Sequence, residues 1–318
     1  MKKILELSGG GIRGIIPAIL CAHIEKEAGK PLNQIFDFFS GTSTGAILAT
    51  LYSAGIPANI VRDIYIQKGK ALFKKNSMFK RVFSKNKAKY DRGPLQHEIR
   101  KHLCKNKIVY MKDLPSKVAM TAYGLYANRT HYITSWNSDH AFLKVLDVVS
   151  WSALTAANYF GKICVPAYKW PQYLDQKIIH TGEVFQDGGQ GIHNCTARDA
   201  LTTALYGLKW QKDDDIYLLS LGCGSVKLMA DSYKSVANDG WLEQVSAYFS
   251  QARDESTYDQ VHTASFMLSK TYNNLEHFTR INPRLSKKLD VLDGLSYINK
   301  YKDIGYALIN QIPEIYVK

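Results

Sequence analysis

Phe38-Phe39-Ser40-Gly41-Thr42-Ser43-Thr44-Gly45-Ala46-Ile47-Leu48 reads as a short apolar strand, a Gly-x-Ser-x-Gly turn and the start of a helix. That order is what a nucleophile elbow needs, because a sharp, strained turn lifts the serine hydroxyl above the edge of a sheet. Gly41 and Gly45 flank Ser43 where strand and helix pass too closely for a Cβ. The helix that follows turns free N–H groups and its positive dipole end toward the same hydroxyl. The string also fits a plain strand-to-helix turn whose serine caps the helix, so its neighbours have to decide.

Toward the N-terminus, residues 3–8 read as a strand and 15–24 as a helix, with Gly9-Gly10-Gly11-Ile12-Arg13-Gly14 between them. This loop supports two readings. As G-x-G-x-x-G it is a dinucleotide fingerprint, which makes a nucleotide-binding module the rival function. That reading wants an acidic residue at the tip of the next strand, yet the strand ends in the serine elbow and Asp37 precedes it. As an oxyanion loop, its glycines leave backbone N–H groups free to face a developing alkoxide, and Arg13 adds charge or holds the loop.

Downstream, residues 118–123, 131–136, 178–185, 216–221 and 278–281 read as strands. Residues 44–53, 57–70, 93–104, 145–160 and 194–206 read as helices. This alternation predicts an α/β fold, a three-layer α/β/α sandwich with a mostly parallel central sheet. A serine nucleophile also needs a base. None of the nine histidines stands in a setting that singles it out; His180 and His193 read as ordinary residues. Asp187 is better placed, after an apolar strand and before Gly188 and Gly189. There a carboxylate emerges at the sheet edge, and within reach of Ser43 it can take the proton. By itself Asp187-Gly188 is also a common turn pair.

Composition narrows the partners. With 46% apolar and 22% charged residues, the 318-residue chain has material for a packed core. No run approaches the ~18 apolar residues of a membrane span, and Glu6, the glycines and Arg13 interrupt any signal-peptide core. Five scattered cysteines without C-x-x-C indicate neither zinc nor disulfides and fit a reducing compartment. A net charge of +13 favours anionic partners. Residues 68–89 concentrate nine Lys and Arg with no acid, interleaved with Phe73, Phe79 and Phe83. They read as a solvated loop, a basic-aromatic lid, a nucleic-acid patch or a membrane-surface segment. In the last case the contacts are Lys74, Lys75, Phe79, Lys80, Arg81 and Phe83.

Gly9 to Gly14, Gly41 to Gly45 and Asp187-Gly188-Gly189, in that order, resemble the motifs of the patatin-like phospholipase family. Leu219-Ser220-Leu221-Gly222-Cys223-Gly224 and the small-residue stretch Ser152 to Phe160 are similar to two further family segments. The likeness covers roughly residues 3–225. It implies a Ser43–Asp187 dyad without histidine, hydrolysing acyl esters of phospholipids through an acyl-serine. It implies an oxyanion hole from Gly9, Gly10, Gly11 and Arg13, with Gly14, Gly41, Gly45, Gly188 and Gly189 in support. It implies no metal and no cofactor. Ser8, Ala46 and Asn158 depart from the family pattern, away from the reacting groups.

The expectations are then these. Residues 1–225 form the catalytic core, and 226–318 form a mainly helical cap or regulatory part packed on it, not an independent domain. The partner is a phospholipid surface and not nucleic acid. The protein is cytoplasmic and peripheral at membranes, with secretion as an effector left open. Some relatives of this kind are switched on by a cyclic nucleotide or a host factor, so an activator and an oligomer stay open. A catalytically quiet storage protein is a third alternative.

Overall fold

Strand alternation sorts the apolar side chains into two cores. The computed structural model describes residues 1–76, 88–166, 182–190, 193–211, 214–226, 241–272 and 275–317. Among them the strands are β1 (Lys2–Leu7), β2 (Phe38–Gly41), β3 (Lys117–Gly124), β4 (Arg129–Thr134), β5 (Ile163–Val165), β6 (Glu183–Asp187), β7 (Ile216–Leu221) and β8 (Phe278–Ile281). They form one sheet in the order β5-β6-β3-β2-β1-β7-β8, with β4 also paired to β3. The run β3-β2-β1-β7-β8 is parallel; β4, β5 and β6 join antiparallel.

The helices used below are α1 (Ile15–Ala28), α2 (Leu32–Ile35), α3 (Thr44–Ser53), α4 (Ala58–Leu72), α5 (Gly93–Lys105), α6 (Val145–Ala153), α7 (Ala157–Phe160), α8 (Ala197–Thr202), α9 (Trp241–Tyr272) and α10 (Ile298–Ala307). Leu5, Leu7, Phe39, Met120 and Leu219 turn to one face and pack against α1, α3, α4, α5, α6 and α10. Ile4, Phe38, Ala119 and Leu218 turn to the other and pack against α8 and α9. Parallel strands are covered on both faces in this way because their crossovers lay helices there. The result is the expected three-layer α/β/α sandwich. Every residue of α3 is buried, so this helix is held by its whole circumference and not by one stripe.

Two helices differ from the sequence reading. Residues 145–160 do not form one helix: α6 stops at Ala153, and α7 starts at Ala157. Thr155 explains the break, since its hydroxyl bonds back to Trp151 O (2.5 Å) while its carbonyl accepts the Asp187 N–H (3.3 Å). Residues 194–206 form the shorter α8 followed by a π-helical turn over Thr203–Gly207. Of the strand expected at 178–185, the described part begins at Glu183 and runs through Asp187.

One row across the sheet is polar. Arg280 on β8 lies level with Ser220 on β7, Glu6 on β1 and Ser40 on β2. Glu6 is fully buried. Its carboxylate accepts Arg280 Nη1 (3.1 Å), Ser8 Oγ (3.1 Å), Thr196 N (3.1 Å) and Ser220 Oγ. A buried ion pair is weak evidence of stability while intact, but removing one partner strands a charge. Arg280→Leu is therefore expected to destabilise by about 3–5 kcal/mol. A fall in the urea midpoint, largely restored by adding Glu6→Gln, is the expected reading. An unchanged midpoint in the single variant would show that the pair does not carry this load.

The topology then delivers two chain ends to one spot. β4 spans Ala119–Gly124 on one edge of β3. β2 and β6 must therefore share the other edge, β2 ending with Gly41 at Met120 and β6 ending with Asp187 at Ala122. They meet head to head with one β3 residue, Thr121, between them, and Thr42 Oγ1 bonds to Thr121 Oγ1 across that gap (2.7 Å).

Candidate active site

Ser43 sits between β2 and α3 with φ 56° and ψ −126°. A non-glycine residue held there stores roughly 1–3 kcal/mol of strain, so the surroundings must fix it. They do so through Thr42 N to Leu7 O (3.3 Å), Gly45 N to Thr42 O (2.8 Å) and Ala46 N to Ser43 O (2.9 Å). Gly45 lies against β1 so closely that a Cβ would stand 1.8 Å from Leu7 O, and one on Gly41 would stand 2.4 Å from Gly45 C. Both glycines are thus demanded by close approach, as the motif predicts.

Asp187 reaches Ser43 from the end of β6. Ser43 Oγ donates to Asp187 Oδ2 at 2.7 Å, and Gly189 N donates to Oδ1 at 2.9 Å. Gly188 turns the chain beside Thr121, whose Oγ1 would be 2.1 Å from an added Cβ. Burial pushes the Asp187 carboxyl up from 3.8 to about 7, against the lowering pull of the Ser43 hydroxyl and the Gly189 N–H. The folded protein keeps this proton between the unfolded and folded pKa values, so the group's contribution is intact below about pH 4 and lost as pH rises through 7. Stability should fall by about 4 kcal/mol over that window from this group alone. Asp187→Asn should flatten that slope in melts taken from pH 4 to 8; an equal slope in both proteins would contradict the assignment.

The glycine loop closes the site from β1. Gly9 N–H is taken by Asn194 O (3.2 Å), and Gly9 O accepts Asn194 Nδ2 (3.3 Å). Among the described residues, the N–H groups of Gly10 and Gly11 have no acceptor. Gly11 has φ +60°, a left-handed conformation that suits glycine. Gly14 packs on the elbow helix, where a Cβ would meet Thr44 Oγ1 at 2.6 Å. Arg13 is buried and its hydrogen bonds go to the loop and to later segments of the chain: Nε bonds Gly10 O (3.3 Å), and Nη1 bonds Gly224 O (3.1 Å) and Asp290 Oδ1 (2.5 Å). Of the two roles open for Arg13 in the sequence, this geometry is that of holding the loop.

Two cavities meet at Ser43. One, of about 570 Å³, has a mixed lining that takes in Asp187, Asn194, Arg13, Arg280 and Arg284. The other is a narrow apolar slot of about 50 Å³ running past Ile47, Leu72, Phe73, Leu95 and Phe160. No histidine lines either cavity among the described residues. His193 lies near the elbow only through its carbonyl, which accepts Thr42 Oγ1 (2.9 Å); its ring pairs with Asp199 (2.8 Å). His180 lies outside the described residues, as do Phe79, Lys80, Arg81 and Phe83. Lys74 and Lys75 are described and exposed, and Lys75 bridges to Tyr90. Sequence reasoning missed Asn194, Glu6 and Arg280. A charge inside each of two predicted strands was the available signal for Glu6 and Arg280; Asn194 had none.

Fold and site together define an α/β protein with a serine–carboxylate pair at the carboxyl edge of its parallel strands. A family model described as patatin-like phospholipase matches residues 5–201. The chain belongs to the patatin-like phospholipase family. It is 31% identical over 161 residues to a cGAMP-activated phospholipase of Pseudomonas aeruginosa, covering 49% of this chain and 47% of that protein. It is 26% identical over 323 residues to the human calcium-independent phospholipase A2-gamma, covering 94% of this chain and 38% of that one. The chain thus spans about half or less of the length of these relatives. The crystal structure of VipD from Legionella pneumophila is similar at a TM-score of 0.43 and 13% identity, over 95% of this chain and 66% of that one.

Proposed function

We propose that the chain is a lipid acyl hydrolase of phospholipase A type, working through Ser43 and Asp187. The observation that carries this reading is the 2.7 Å bond between Ser43 and a buried Asp187, placed where a wide cavity with charged side chains in its lining and an apolar slot meet. An ester with its acyl chain toward the slot and its headgroup toward the arginine-lined side presents its carbonyl carbon to Ser43 Oγ. Attack forms the Oγ–C bond as the hydroxyl proton passes to Asp187. The oxyanion accepts from Gly10 and Gly11 N–H. Collapse breaks the C–O bond to the alcohol, which leaves with the proton from Asp187. Water, deprotonated by the same carboxylate, then releases the fatty acid and restores Ser43. A carboxylate pushed up to about 7 suits both directions of proton transfer near neutral pH.

The rival dinucleotide reading of residues 9–14 lacks its ribose-holding acid, since Thr42 and Ser43 stand at the tip of β2. The exposed Lys74 and Lys75 would face the lipid surface that the substrate comes from.

Fatty-acid release from mixed phospholipid vesicles tests the reading. Release with kcat/KM rising through an acid limb near pH 7, as Asp187 ionises, is the expected result. Release that survives Ser43→Ala would overturn the mechanism. Absence of release across phospholipid classes, with cyclic nucleotides and host extracts added, would overturn the activity.

A further inference from the structure

The Gly9–Gly11 loop has no side chains with which to fix its own N–H groups, and glycine is the residue freest to turn them. In a trans peptide each N–H lies opposite the carbonyl of the preceding residue, and no cis bond occurs among the described residues. The direction of Gly11 N–H is therefore set by whatever holds the Gly10 carbonyl. That partner is Arg13, through its backbone N (3.3 Å) and its Nε (3.3 Å).

Arg13 is itself held by a segment from the far end of the chain. Its Nη1 lies 2.5 Å from Asp290 Oδ1, with the guanidinium side chain only 6% exposed. Two residues on, Leu292 O accepts Ile12 N–H at 2.8 Å and fills the space where a Cβ on Gly11 would stand 2.2 Å away. Asp293 is tied to Lys89 Nζ and to Tyr90 Oη (2.5 Å). Residues 290–293 thus form a strap across the back of the loop, well beyond residue 201 where the family model ends.

We propose that Asp290 is a positioning residue for hydrolysis: through Arg13 it holds the Gly10 carbonyl and so aims Gly11 N–H at the oxyanion. The inference rests on the reading of Gly10 and Gly11 as oxyanion donors. Asp290 touches no reacting atom in this scheme. Its charge keeps the guanidinium on the loop, at the wall of the cavity that both residues line. A donor misplaced by an ångström loses most of its effect on the barrier while substrate binding is little changed.

Asp290→Asn keeps the shape and removes the charge. Measured well below its melting temperature, it is expected to lower kcat about 10- to 100-fold on phospholipid vesicles and on a short soluble acyl ester alike, with KM within about twofold. Phosphonylation of Ser43 by a fluorophosphonate should slow by a similar factor, because that reaction also builds charge on an oxygen in the hole. Asp290→Glu should recover most of the loss. If Asp290→Asn does not fold, Arg13→Lys supplies the test: it keeps a cation for Asp290 but lacks the Nε donor to Gly10, and the same fall in kcat is expected. An unchanged kcat, with or without a lowered melting temperature, overturns the inference, as does a change confined to KM. Full activity in Ser43→Ala would instead overturn the reading on which it rests, so the two failures are distinguishable.

Discussion

Ser43→Ala is expected to cut fatty-acid release from phospholipid vesicles by at least about 10⁴-fold, with the fold intact. Loss of a serine nucleophile elsewhere costs up to about 10⁶-fold, the residue coming from the oxyanion hole and binding alone. Among the described residues no histidine lines the cavities, and the hydroxyl that Asp187 holds is that of Ser43, at 2.7 Å. Asp187→Asn should fall by a comparable factor, on the order of 10⁴, because the amide preserves the shape but takes no proton. The double variant should be little worse than either single one, as residues acting as a unit are not additive. Parallel melts decide whether activity or folding was lost. Ser43→Ala with release within tenfold of the parent would sink the mechanism.

The second large effect is on stability, at Gly45. A Cβ there would stand 1.8 Å from Leu7 O and 2.6 Å from Leu7 C, both backbone atoms at the end of the inner strand β1. No rotamer change relieves that contact. α3 would have to lift off β1, although it is buried on every side. Ordinary overpacking costs about 1–3 kcal/mol where side chains can give. Gly45→Ala should exceed that, at more than about 4 kcal/mol, a large share of a typical domain's total of roughly 5–15 kcal/mol. Gly29→Ala is the comparison: φ is +65° but nothing lies within 4 Å of the added Cβ. Only the strained conformation opposes it, for about 1–2 kcal/mol. Thermal melts of the two variants should differ widely. A Gly45→Ala protein melting within a few degrees of Gly29→Ala would refute the close-approach argument.

Much of this was legible in the sequence because the signals are local. Ser43 and Asp187 each follow an apolar strand and stand beside glycines, and both features are read within a few residues. β7 and β8 fall where their apolar runs place them. The break between α6 and α7 was hidden by small residues that fit helix or turn equally, until the Asp187 N–H claimed the Thr155 carbonyl. Glu6 and Arg280 were visible as charges inside strands, but their pairing depends on β7 lying between β1 and β8. No local pattern carries strand order. Asn194 gains its place because the chain after β6 folds back over Gly9, which is likewise a long-range event.

The head-to-head meeting of β2 and β6 makes β3 a ruler for the Ser43–Asp187 pair. Ser43 is placed by where β2 stops along it, and Asp187 by where β6 stops. A strand advances about 3.3 Å per residue and turns its side chains over at each step. A slip of β6 by one residue would therefore turn Asp187 to the opposite face of the sheet. A slip by two would restore the face but carry the carboxylate about 6.6 Å along, more than twice the 2.7 Å of its bond to the serine. No intermediate spacing exists on such a scale. Any event that shifts β6 by a whole register therefore acts on the pair as a switch and not as a dial.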